Sequence, residues 1–127
     1  MVSKSGRVCL CDFSESNFNG FRYDEITTVV DKFKSPEREP GNLIDFRSDI
    51  YECGMLLDEL TLKTIDISGR FVARANEDRR GPRENIQDFF VKQQIFNIIQ
   101  KAVRPRPEDR FSSAAKMREQ VEKLLTE

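Results

Sequence analysis

The stretch from Ser48 to Thr61 constrains this chain most, because it is apolar on nearly every side. Ile50, Cys53, Gly54, Leu57 and Leu60 recur at helical spacing, and Tyr51, Met55 and Leu56 carry the apolar cover round the cylinder. A helix with so much apolar surface belongs at the centre of its domain. The pattern predicts a helix over 48–62, with Ser48 as N-cap and Asp49 in the first turn, where the helix dipole favours an anion.

The remaining segments arrange themselves around that helix. Arg7-Val8-Cys9-Leu10-Cys11-Asp12-Phe13 reads as a short buried strand, since both of its alternating faces are fairly apolar. Residues 14–34 are polar and lack a helical period, which predicts a long loop. Ser35-Pro36-Glu37-Arg38-Glu39-Pro40-Gly41 is a turn punctuated by two prolines. A second helix is expected over 86–103, with Val91, Ile95, Ile98, Ile99 and Ala102 inward and Pro105 and Pro107 ending it. A third is expected over 113–125, capped by Ser112 or Ser113, with Met117, Val121, Leu124 and Leu125 inward. Residues 63–85 read as irregular and charged, with Arg79-Arg80-Gly81-Pro82-Arg83 as a solvated break. The fold class is mainly α: a short strand, a long loop and about three main helices in one domain.

Composition excludes several classes of function. Twenty-one basic residues nearly cancel 22 acidic ones, so no surplus of positive charge marks a nucleic-acid or anionic-membrane binder. There is no histidine, which removes triad hydrolases and zincins from consideration. Three cysteines without a signal-peptide pattern read as free core thiols of an intracellular, cytoplasmic protein. Cys9, Cys11 and Cys53 make a poor zinc set without histidine.

Four motifs in order carry a resemblance. Asp12-Phe13-Ser14 closes the strand, Ser35-Pro36-Glu37 follows one loop later, and Ser48-Asp49-Ile50-Tyr51 opens the central helix. Arg104-Pro105-Arg106-Pro107-Glu108-Asp109-Arg110-Phe111 precedes the last helix. Together they resemble the C-terminal part of the large lobe of the eukaryotic-type protein kinase domain, from its Asp-Phe-Gly motif through Ala-Pro-Glu to its last helix. The resemblance covers about residues 7–126. It implies an α+β parent fold and transfer of the ATP γ-phosphate to a protein Ser, Thr or Tyr hydroxyl. Residues 7–37 then correspond to the activation-segment region and 48–126 to the helical lobe. Asp12 would be the metal ligand that meets Mg-ATP. Glu37 and Arg110 would form a buried ion pair, and Asp49 would hold the catalytic-loop backbone. Tyr23, Thr27 and Thr28 are candidate phosphosites on the loop.

The chain departs from that pattern in ways that bear on activity. Ser14 stands where the family has glycine, and Val29 and Val30 stand where Gly-Thr is frequent. The chain holds no Gly-rich loop, no strand lysine in a Val-Ala-Ile-Lys context and no His-Arg-Asp loop. Phosphoryl transfer depends on such positioning groups, so this chain is expected to be inactive alone. Two readings lead, ahead of an unrelated small helical adaptor with chance motifs: a piece of a kinase that needs its other half, and a non-catalytic, pseudokinase-type interaction module. Either implies a protein partner, and apolar surface left uncovered would favour self-association. Neither implies a nucleic-acid or membrane partner.

Overall fold

The computed structural model of the chain describes residues 5–10, 21–22, 33–63, 65 and 86–126. Its elements in chain order are β1 (Phe21–Arg22), β2 (Leu43–Ile44), α1 (Phe46–Leu60), α2 (Ile86–Ala102), a 3-10 turn (Pro107–Asp109) and α3 (Ala114–Thr126). The architecture is mainly helical.

Helix α1 begins two residues earlier than its apolar pattern suggests. Asp45, not Ser48, is the N-cap: its backbone is extended and its carboxylate accepts from the Arg47 amide at 2.8 Å. The Arg47 guanidinium closes back on the same carboxylate. Ser48 is instead buried in the first turn, at 1% exposure. The two-residue strands pair antiparallel, Phe21 opposite Ile44 and Arg22 opposite Leu43, and so deliver the chain into α1. The first of these strands, β1, lies within the stretch expected to be loop, and the second follows the proline-punctuated turn.

The core lies between the helices and joins two clusters. Ile50, Ile98, Ala102, Phe111 and Met117 form one, which α1, α2 and α3 share. Tyr51, Met55, Ile65 and Ile99 form the other. Leu57 packs against both. Helices α1 and α2 approach so closely that a Cβ placed on Gly54 would stand 2.7 Å from the Ala102 Cβ and 2.9 Å from Val103 Cγ1. Helix α3 starts where the Ser113 hydroxyl accepts from the Lys116 amide at 3.2 Å, the N-cap geometry expected of a serine.

Several expectations of burial are corrected. Val8 and Leu10 are 76% and 86% exposed, and the described part of 7–13 shows only an isolated bridge residue at Val8. No described element covers that segment, so the apolarity of both faces does not bury it. Cys9 and Cys53 are exposed, outside any disulfide, and are not core groups. On α1 the buried positions are Ser48, Ile50, Tyr51, Gly54, Met55 and Asp58, while Leu56 and Leu60 face outward. Val91 and Leu125 are also exposed. These helices are packed on one side among the described residues, so their outer apolar positions stay in solvent.

Candidate functional site: the Glu37–Arg110 junction

The turn that ends the loop region is built by its own backbone. Arg38 donates its amide to the Ser35 carbonyl at 3.1 Å, and Asn42 donates to the Glu39 carbonyl at 3.0 Å. Gly41 takes a φ of 86°, a left-handed angle that glycine adopts without Cβ strain. This folding turns Glu37 and Arg38 toward the start of α1.

Glu37 meets Arg110 across 73 positions of sequence. The guanidinium grips the carboxylate with both of its terminal nitrogens, NH1 to Oε1 at 2.6 Å and NH2 to Oε2 at 2.8 Å. The same nitrogens also donate to the Arg47 carbonyl at 2.8 Å and the Pro105 carbonyl at 3.1 Å, and Nε donates to the Arg104 carbonyl at 2.8 Å. Guanidinium has five N–H donors in a fixed fork, and here each has an acceptor. Its carbon lies 5.0 Å from the centre of the Tyr51 ring, a cation–π contact. The Arg110 side chain has 0% exposure and that of Glu37 has 13%.

Ser48 completes the junction. Its hydroxyl donates to Glu37 Oε1 at 2.7 Å. Burial works to raise the Glu37 pKa, but hydrogen bonds from Arg110 and Ser48 and the Arg110 charge outweigh it, leaving the pKa below the ordinary glutamate value. Glu37 is thus held as an anion. One ion pair joins the turn, the first turn of α1 and the segment before α3.

A second polar cluster flanks the first. The buried Arg38 side chain pairs with Glu52 and, at 3.4 Å, with Asp49. Burial raises the Glu52 pKa against the opposing pull of Arg38. Asp49, expected to hold a catalytic-loop backbone, has a side chain 75% exposed, and Arg38 is its ion-pair partner. Deeper in, Asp58 is buried at 1% exposure, and its Oδ2 accepts from the Ile65 amide at 2.9 Å. The sequence reading missed Arg38, Asp45, Glu52 and Asp58. Asp58 had a signal, since it lies eight positions after Ile50 on the apolar stripe, where a carboxylate needs a partner.

Asp12, Tyr23, Thr27 and Thr28, together with Phe13, Ser14, Val29 and Val30, lie outside the described residues. No group of three or more metal-ligating side chains occurs among the described residues. No described helix is long and apolar enough to cross a membrane.

The geometry now has relatives to set beside it. The chain is 30% identical over 128 residues to the serine/threonine-protein kinase PknB of Mycolicibacterium smegmatis, an alignment that takes in 93% of this chain. This chain is similar to bacterial serine/threonine-protein kinases. A second such relative, named as a probable serine/threonine-protein kinase of Streptomyces coelicolor, is 29% identical over 135 residues and 98% of the chain. The chain spans 20% of the length of each. No family model and no solved structure matches it. The mainly helical architecture accords with the C-terminal, helical part of a kinase large lobe.

Proposed function

We propose that this chain is the C-terminal part of the large lobe of a serine/threonine-type protein kinase, and that the complete protein transfers the ATP γ-phosphate to a protein hydroxyl. One observation carries the reading: the buried pair of Glu37, in Ser35-Pro36-Glu37, with Arg110, just before the last helix. A pair that ties a loop end to a distant helix start fixes where the loop can lie. In a kinase that loop is the activation segment, whose ordering controls catalysis. The likeness to two bacterial serine/threonine-protein kinases supports the serine/threonine class.

Asp12 is the residue of this chain that would hold magnesium, because its carboxylate supplies the hard oxygen donor that the cation takes. Bound there, the metal would bridge nucleotide phosphates and offset their charge. The chain contributes the structural half of the lobe and neither a Gly-rich loop nor a strand lysine to grip nucleotide, so alone it is inactive. Residues 7–37 serve as the activation-segment region and 48–126 as the helical lobe, with Tyr23, Thr27 and Thr28 as candidate phosphosites. The complementary part of a kinase domain, or another protein, is its natural partner. An intracellular setting suits this chemistry, which needs ATP.

The alternative, a pseudokinase-type interaction module, is favoured by Ser14 in place of glycine and by Val29 and Val30. Two assays separate the readings. With radioactive ATP the isolated chain should label neither itself nor a generic substrate, whereas the full product of the encoding locus should label serine or threonine and lose that activity on Asp12→Ala. Labelling by the isolated chain that survives Asp12→Ala would overturn the proposal. A full product that is silent and shows no thermal shift with Mg-ATP would favour the interaction module.

A further inference from the structure

The groove between α2 and α3 plays no part in the junction and has its own chemistry. It encloses about 530 Å³. Ile98, Phe111 and Leu124 make its apolar floor, and Lys101, Lys116 and Lys123 stand round it. No carboxylate is among the residues that line it. A chain with net charge -1 has therefore gathered three ammonium groups about one groove whose polar walls stand over an apolar floor.

The lysines differ in how far they are already neutralised. Lys116 pairs with Glu119 at 3.4 Å, an exposed contact of little strength. Lys101 sits 5.0 Å over the Phe111 ring, which holds its ammonium against the floor. Neither Lys101 nor Lys123 has a carboxylate partner among the described residues. On α3, Lys116, Gln120 and Lys123 follow i, i+4, i+7 spacing, so the two lysines are about 10 Å apart along the axis. On α2, Gln94, Ile98 and Lys101 repeat the spacing. The trough thus runs between two helices and is open along its length.

We propose that this groove docks an acidic amphipathic segment of a partner protein. Its apolar side chains would occupy the floor over Ile98, Phe111 and Leu124. Its carboxylates would meet Lys101 on one helix and Lys123 on the other. Gln94 and Gln120 supply donors and acceptors for its polar groups. Charge complementarity selects this occupant: a basic or neutral segment would leave the Lys101 and Lys123 ammonium groups facing the ligand without counter-charge.

The test uses this chain and two fluorescein-labelled peptides. One is a helical peptide with leucines one turn apart and flanking glutamates; the other carries lysine in place of each glutamate. In fluorescence anisotropy the acidic peptide should bind saturably, more weakly as salt is raised, and the basic peptide should not bind. Lys123→Glu should weaken binding about tenfold or more, while Lys63→Glu, the same charge change away from the groove, should leave it nearly unchanged. Circular dichroism of both variants checks that the helices persist. The proposal is overturned by absence of saturable binding, by equal binding of the two peptides, or by equal loss in the two variants. Binding to phosphatidylserine vesicles without binding to the acidic peptide would also overturn it, and would assign the groove to a lipid surface.

Discussion

Removing the Arg110 side chain would leave Glu37 as a buried charge without its counter-ion and orphan three backbone carbonyls. Arg110→Ala should therefore destabilise the fold by about 3–5 kcal/mol, read from a urea or guanidinium midpoint. Arg110→Lys keeps the charge but loses the fork. With three donors for five acceptor contacts, it should still cost about 2 kcal/mol or more. Ser35 offers the opposite sign. Its hydroxyl is buried at 1% exposure and has no hydrogen-bond partner among the described residues. Ser35→Ala removes an unsatisfied polar atom and should raise stability by about 1 kcal/mol. The pH dependence follows from the same junction. Glu37 has a folded pKa below its ordinary value of 4.5. Its stabilising contribution is complete above that value and is lost as pH falls below it and through the depressed folded pKa. Glu52 acts in reverse, since its raised pKa means that protonation relieves its burial as pH falls. Acid titration of the denaturation midpoint should show a fall below about pH 4.5 that Glu37→Gln flattens.

At the scale of elements, α1 and α2 meet through Gly54. A methyl group there would collide with the Val103 Cγ1 and with the Ala102 Cβ, and the latter is fixed to the backbone and cannot swing away. Gly54→Ala gains helix propensity yet should lose about 1–3 kcal/mol net through overpacking, measured by denaturation. Helix existence and rough extent were legible from period and punctuation: the apolar repeat of 86–103 and the prolines after it correspond closely to α2. The start of α1 was not, because Asp45 and Ser48 are both competent caps and the choice depends on Glu37. Once the Ser48 hydroxyl is taken by that carboxylate, Asp45 is left to meet the Arg47 amide. Which apolar residues are inward was legible only in part. Leu56, Leu60, Val91 and Leu125 repeat a pattern that states what a helix could bury, whereas burial depends on which neighbours arrive.

For the whole molecule, the decisive contact joins positions 37 and 110, and neither residue's local sequence shows that they meet. The order of the motifs suggested it, but composition and periodicity could not, since both describe neighbours along the chain. The junction makes the turn, α1 and the approach to α3 one mechanical unit. A double-mutant cycle on Glu37→Ala and Arg110→Ala, followed by chemical denaturation, tests that claim most directly. A coupling energy of about 2 kcal/mol or more is predicted for a buried, bidentate pair. Single-variant effects that add to within about 0.5 kcal/mol would show the two residues to be independent, and would contradict it.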